Sequence, residues 1–433
     1  MTEEPRNPSF RQLIRTRNFG LLWGAGGLSA IADQFDLIAF PWLVLLVTGD
    51  PLAVGIVISV GSIPAVFFML LGGSLADRYG PRLIMLFSNA TRIVLVTTLA
   101  VLILTDMTSL WLIYLFSLLK GTADSFYYPA HLAILPRVVP TGLLPQSNAV
   151  IHTTSELSGF IGPALAGSLI ALFNSGGPMG GGSDKTGIGI VFAVMAVALL
   201  VSSLMLLILR IDSSSADSEG TDAAESSVLS SIAQGIRHVR SDGSMLAVFL
   251  LIAGVEILIE GPVTVGLPVL SEMRFAEGAF ALGVITSMYA GGTVMGAILA
   301  GTLPAPRRRL GPILIAAFAL SGILMMPLGL LTSMWYAVCI GLAVGVLGGY
   351  IDVILTSWLQ ARTPQAMLGR VMSLLTISAI GLSPISYAAS GALMKVSLRW
   401  VFIASGGLMA LFSIAVGLRR EIREMGGAEG RND

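Results

Sequence analysis

What this sequence lacks excludes most chemistry. Only one of its 433 residues is a cysteine, Cys339, so no intrachain disulfide can form, and a lone thiol in an apolar run reads as packing. Its three histidines lie in three separate segments, which leaves no metal centre to build. There is no HExxH, no G-x-S-x-G and no GxxxxGK[ST] phosphate loop. Metalloprotease, serine-hydrolase and ATP-hydrolysing readings therefore have no residues to run on, and neither an enzyme nor a cofactor is expected. Charge is scarce too: 12% of residues, 25 basic against 25 acidic. A soluble surface needs about a quarter charged residues, and a nucleic-acid partner needs a basic face. Neither requirement is met.

Apolar residues fill the space that charge leaves. They make up 55% of the chain, and mean hydropathy is +0.85. A helix needs about 20 apolar residues to cross a bilayer core. Breaking the chain at polar and Gly/Pro-rich points gives twelve such runs: 20–47, 52–76, 83–105, 108–135, 143–173, 188–210, 245–271, 279–303, 310–331, 334–360, 368–394 and 398–418. The first run is too long for a cleaved leader and passes straight into another span. With both termini cytoplasmic, nineteen of the 25 lysines and arginines fall inside, four outside, and Arg92 and Lys120 within spans. An odd number of spans would scramble that asymmetry. The sequence thus predicts an all-α multi-pass protein of the plasma (inner) membrane, with the bilayer as its first partner.

The only long polar stretch, DSSSADSEGTDAAESS, lies between the sixth and seventh runs and has the composition of a linker. After it, Ile232 to Arg240 reads as a short amphipathic helix on the membrane surface, with His238 solvated. The chain divides accordingly: residues 1–210, a linker 211–244, and residues 245–433. The two halves also echo each other. Gly73-Ser74-Leu75 corresponds to Gly301-Thr302-Leu303, Pro140 and Leu144 to Pro364 and Leu368, and Gly167 to Gly391. Pro41 corresponds to Pro268, and the same offset lays Asp33 on Glu260.

Two motifs carry chemistry. The loop after the second run reads Gly73-Ser74-Leu75-Ala76-Asp77-Arg78-Tyr79-Gly80-Pro81-Arg82. Gly73 would let helices approach, Gly80 would permit a tight turn, and Asp77 could latch onto a cation or a helix N-terminus. The fifth run contains Gly159-Phe160-Ile161-Gly162-Pro163-Ala164-Leu165-Ala166-Gly167, small residues suited to close packing around a proline bend. The first motif fills every fixed position of G-x-x-x-D-R-x-G-x-R and resembles the signature loop of the major facilitator superfamily. The second resembles, with Gly159 one residue early and Ala166 for a glycine, the antiporter motif of its drug exporters. Phe126-Tyr127-Tyr128-Pro129-Ala130 and Gly369-Arg370-Val371-Met372-Ser373-Leu374 are similar to the drug:proton antiporter group that includes macrolide and enterobactin exporters. Ser117 and Lys120 stand where the group's fourth-span motif has arginine and glutamine. The resemblance implies twelve transmembrane helices in two six-helix pseudo-symmetric halves around a central cavity. It also implies a functional monomer moving a small molecule by alternating access.

Ionisable groups inside spans are costly and mark polar cavities or proton paths. Asp33 and Asp36, three apart, share a helical face, as do Glu256 and Glu260, four apart. With Glu156 they are the candidate proton-coupling residues; Asp124 reads as a structural partner of Lys120, and Asp352 is a further buried acid. Gly261-Pro262 should break the seventh helix and free backbone groups for substrate or water. Scattered acids without filter-like rings do not describe a channel. Spans of Leu, Val, Ile, Ala and Met with a few acids suit proton-coupled export of amphipathic, often cationic molecules; export of a siderophore or flipping of a lysolipid or lipid is the alternative.

Overall fold

The structure is a computed structural model that describes residues 16–173, 185–210, 228–303, 309–423 and 425. The polar stretch 211–227 and the N-terminal Arg6, Arg11 and Arg15 lie outside the described residues. Those residues contain helices and no strand. In chain order the helices are α1 (Arg17–Thr48), α2 (Pro51–Tyr79), α3 (Pro81–Leu104), α4 (Leu110–Val138), α5 (Leu144–Leu172) and α6 (Thr186–Ile208). There follow α7 (Val228–Ser241), α8 (Gly243–Val255), a π turn (Glu256–Glu260), α9 (Gly261–Arg274), α10 (Ala279–Thr302) and α11 (Leu310–Met325). The chain continues with α12 (Met334–Arg362), α13 (Gln365–Met394), α14 (Leu398–Gly417) and the single turn α15 (Arg420–Arg423).

Eleven helical segments among the described residues are long and apolar enough to cross a membrane, the π turn joining α8 and α9 into one of them. In the fourth run, the one not among these eleven, α4 is a continuous 29-residue helix that falls below that hydropathy, because it carries Lys120, Asp124, His131 and Arg137. Prolines sit inside six of these helices, at Pro41, Pro64, Pro129, Pro136, Pro163, Pro268 and Pro384. Neighbouring side chains must satisfy the carbonyls that each proline leaves open. Phe67, Phe87, Trp111, Leu172, Trp335 and Leu411 are among the many large apolar side chains that stay exposed, as a lipid-facing surface requires. Cys339 is also exposed, so its thiol does not pack in the interior as the sequence suggested.

Contacts divide the chain into two compact units. The first comprises Met1–Val47 and Val60–Thr221; the second comprises Asp222–Asp433 together with Thr48–Ser59, the loop and first turns of α2. In the first unit α3 packs against α4 and α6, and α5 against α6. Gly72 sits so close to α4 that a Cβ would lie 2.8 Å from the Ser125 carbonyl oxygen. Gly73 has open space around it, so the motif's first glycine is not the one that lets helices approach.

In the second unit α10 and α12 form the most extensive helix pair, because added Cβ atoms at Gly292, Gly296, Gly345 and Gly349 would fall on the opposing backbone. The α2 turns belong here through Ser59, whose hydroxyl donates to the Pro384 carbonyl at 2.6 Å, and through Lys395, 2.8 Å from Asp50. Asp242 caps α8 by accepting from the Ser244 and Met245 amides and pairs with Arg362 on α12 at 2.7 Å. Burial works against that charge. The Arg362 hydrogen bond and the two amides outweigh it and hold the carboxyl below its ordinary value. Helix α7 forms as the sequence suggested and docks on α13, where Arg370 donates to Gln234 at 2.6 Å. His238 is half-buried there with its Nε2 out of water, not solvated.

Candidate functional site

Five ionisable side chains meet inside the first unit. Arg92 on α3 is fully buried, 1% exposed, the largest such side chain among the described residues, and its guanidinium donates to Asp33 on α1. Its Nε lies 3.1 Å from Asp124 Oδ1 on α4, at ion-pair distance without hydrogen-bond alignment. Lys120, one turn earlier on α4, reaches Asp124 at 2.7 Å and Asp36 at 3.0 Å. The arginine also lies over the Tyr127 ring, 5.5 Å from its centroid. Behind it Ser29 and Ser202 share a 3.0 Å hydrogen bond, with Asn89 donating to Ser202. Two cations therefore serve three acids, and the Lys120–Asp124 pair inferred from the sequence is present.

The network opens on a cleft of about 920 Å³ within this unit. Asp33, Arg92, Lys120 and Asp124 form its charged end; Trp23, Tyr127, Tyr128 and His131 give an aromatic wall, and Asn148, Thr154 and Glu156 come from α5. Trp23 is fixed by a 2.7 Å hydrogen bond from its Nε1 to Thr154, and Tyr127 stacks on His131. Glu156 sits 3.6 Å from His152, one turn before it. The chemistry offered is a charged, aromatic recess in an apolar bundle.

The second unit treats its acids differently. The chain does not break at Gly261-Pro262; it widens into the π turn and continues directly as α9. Pro262 has no N–H to give, and Ser386 on α13 inserts into the opened ladder. Its hydroxyl donates to the Ile257 carbonyl at 2.8 Å and accepts the Gly261 amide at 3.0 Å. The freed backbone groups are thus held by protein, not left for substrate. Glu256 and Glu260 stand at the two ends of this turn. Ser383 donates to Glu256 at 2.9 Å; Thr264 and Tyr387 donate to Glu260 at 2.9 and 3.3 Å. Both acids are held by neutral hydroxyls. Glu256 and Asp352 line a separate cavity of about 300 Å³.

The two motifs are placed as follows. Gly80 has φ +88°, a conformation glycine adopts without strain, and starts α3 with Pro81 in its first turn. Arg82 donates to the Leu206 and Leu207 carbonyls at 2.8 and 2.6 Å and so closes the C-terminal end of α6. Asp77 and Arg78 are exposed, Arg78 lying over the Tyr79 ring. On α5 the segment from Gly159 to Gly167 is helical throughout, with Gly162, Pro163 and Gly167 buried. Gly162 packs against the Gln34 side chain of α1. Sequence reasoning missed Ser383, Ser386 and Tyr387; with Ser390 they form a polar stripe along an apolar span, which was the available signal.

Apolar helical spans with charged recesses are the structure of a multi-pass membrane protein. The Major Facilitator Superfamily profile matches residues 22–386, and the chain belongs to that superfamily as a multi-pass membrane protein. It is 24% identical to the multidrug efflux pump Tap of Mycolicibacterium fortuitum, over 98% of both chains. It is 20% identical to macrolide efflux protein A of Streptococcus pyogenes, over 94% of this chain and 97% of that one. With the enterobactin exporter EntS of Escherichia coli it shares 26% identity, over 82% of this chain and 80% of that one. Among solved structures, the nucleoside transporter NupG superposes with a TM-score of 0.69 at 14% identity, covering 92% of this chain and 98% of that one. That likeness concerns the fold.

Proposed function

We propose that the protein is a twelve-span, proton-coupled secondary exporter of amphipathic small molecules, multidrug in type, working by alternating access as a monomer. In this reading α4 is the twelfth span: its charged residues face the first unit's cleft and its apolar residues face lipid. Both termini and the segment 211–227 are cytoplasmic. The two halves are residues 1–210 and 245–433, joined by 211–244. The observation that carries the proposal is the pair of glutamates on the π turn. Glu256 and Glu260 sit inside an apolar span, oriented by hydroxyl donors and matched by no lysine or arginine among the described residues. Such carboxylates can take a proton from one side and release it to the other. Asp33, Asp36 and Asp124 already have Arg92 and Lys120 as counterions, so they shape the cleft while the glutamates exchange the proton. Glu156, in the lining of that cleft, is a third acid assigned to the proton path. The loop from Gly73 to Arg82 serves as a gate through Asp77, and the Gly159–Gly167 segment keeps α5 tight against its neighbours. The relatives that export drugs support the direction of transport.

The test is uptake of fluorescent amphipathic substrates into inverted vesicles under an imposed pH gradient. Glu260→Gln should abolish uphill movement while leaving substrate binding intact. Full pH-driven uptake by a Glu256→Gln/Glu260→Gln double variant would sink the assignment. Orientation is checked separately: cysteines at Ser215 and Ser183 should label from opposite sides of the membrane, and labelling from one side overturns the twelve-span count.

A further inference from the structure

Helix α13 serves two neighbours at once. One face meets the π turn, where Ser383 donates to Glu256, Ser386 bridges Ile257 and Gly261, and Tyr387 donates to Glu260. The adjacent face, with Pro384, Tyr387 and Gly391 at i, i+3 and i+7 and Lys395 one turn beyond, carries the first turns of α2. Ser59 donates to the Pro384 carbonyl at 2.6 Å, and Asp50 pairs with Lys395 at 2.8 Å. Between these anchors the backbones nearly touch. A Cβ on Gly55 would lie 2.4 Å from the Tyr387 carbonyl oxygen, and one on Gly391 would lie 2.7 Å from the Pro51 carbonyl oxygen. Among the described residues Tyr387 belongs to both faces: its carbonyl bears on α2 and its hydroxyl reaches a glutamate.

The Tyr387–Glu260 bond is 3.3 Å, long for O–H···O, so a shift of a few tenths of an ångström at the Tyr387 backbone makes or breaks it. A phenol that donates to a carboxylate favours its ionised form. Thr264 donates to the same oxygen at 2.9 Å, but from α9, which the first turns of α2 do not press. Glu256 on the same turn and Tyr289 on α10 act on Glu260 through space, and Asp352 on α12 acts on Tyr289. Helix α8 has no ionisable residue; Glu272 and Arg274 lie roughly 18 Å or more along α9, and Arg399 of α14 packs at Gly329. On α13 itself, Arg370 is engaged by Gln234, and Lys395 at its end by Asp50. We infer that Tyr387 is a positioning residue that ties the protonation of Glu260 to the seating of α2 on α13; the inference rests on the proton exchange proposed for Glu260. The coupling runs both ways. A seated α2 holds the hydroxyl on the carboxylate and keeps it ionised, while a proton on Glu260 weakens that bond and loosens the seat. Because α2 continues from Val60 as part of the first unit, the proton acts on a helix that both units share.

The experiment is an infrared pH titration of the full-length protein in nanodiscs, following the protonated-carboxyl band that Glu260→Gln removes. Tyr387→Phe keeps the ring and should move the midpoint of that band upward by about half to one pH unit, a three- to tenfold gain in proton affinity. Asp50→Asn/Ser59→Ala releases α2 without adding volume and should move the midpoint in the same direction. In a Tyr387→Phe background that pair should move it no further, whereas in a Thr264→Val background it should keep its full effect. An unmoved midpoint in Tyr387→Phe overturns the inference and leaves proton exchange at Glu260 standing. Shifts from Tyr387→Phe and Asp50→Asn/Ser59→Ala that simply add overturn it as well, because α2 would then act on Glu260 by another route. If Glu260→Gln removes no titrating band, the proton-exchange reading itself falls and takes this inference with it.

Discussion

Replacing Arg92 by methionine tests how the first unit is held together. Methionine keeps most of the apolar stem and removes the charge. Two carboxylates then lose their shared counterion, Asp33 by the bond from the guanidinium and Asp124 at 3.1 Å. At an effective dielectric constant of about 20, each such contact carries roughly 5 kcal/mol of attraction, most of it offset by desolvation of the guanidinium. Removing one partner of a buried pair costs about 3–5 kcal/mol. Asp33 and Asp124 are 47% and 36% exposed, so water can take up part of their charge. A discounted loss of about 2–3 kcal/mol follows, or roughly 4–12 °C in the melting temperature of a unit of some 200 residues. Thermal unfolding in detergent, read by size-exclusion fluorescence, gives the number. The double variant Arg92→Met/Asp33→Asn should recover part of it, since one orphaned acid is then neutral. If Arg92→Met melts within about 1 °C of wild type, the charge network does not support the fold and the reasoning fails.

Three further outcomes follow from other residues. Asp242 is held below its ordinary carboxyl value, so its contribution is complete above the unfolded value of about 3.9 and is lost as pH falls through the lowered folded value; Asp242→Asn should cost about 1 kcal/mol at neutral pH and flatten that acid-side decline in thermal stability. Ser386→Ala removes the buried hydroxyl that bridges Ile257 and Gly261; it should cost about 1–3 kcal/mol in thermal unfolding and displace the pH profile of transport, and Ser386→Thr should restore both. Asp77→Asn should insert and fold normally but slow the transport cycle several-fold, and a wild-type rate would reduce the loop to a topology anchor.

The spans could be read directly because each obeys one rule, about 20 predominantly apolar residues. That rule underestimates α4, whose Lys120 and Asp124 look costly in isolation and become tolerable only beside Arg92 and Asp36. The acids were visible as residues, and so was the pairing of Asp124 with Lys120, but the partners distant in sequence were not. Arg92 lies 59 positions from Asp33, and nothing local joins them. Glycines misled by one place, because Gly72 and Gly73 are equivalent in a motif and only packing distinguishes them. The π turn was legible as trouble at Gly261-Pro262, yet its repair by Ser386 is 125 residues away. His238 was misjudged for the same reason: an amphipathic helix predicts which side is apolar, not what docks on it.

The assignment of Thr48–Ser59 to the second unit means that the chain passes between the units three times rather than once. Cutting it in the polar segment near residue 221 therefore cannot yield two self-sufficient pieces. The N-terminal fragment would carry the first turns of α2 without the Pro384 carbonyl and Lys395 that anchor them, and the C-terminal fragment would lack a piece of its own wall. A gene split at that point should give fragments that are unstable when produced alone and recover when produced together. A circular permutant opened in the same segment should likewise tolerate its new ends, because the interlaced turns remain covalently in place.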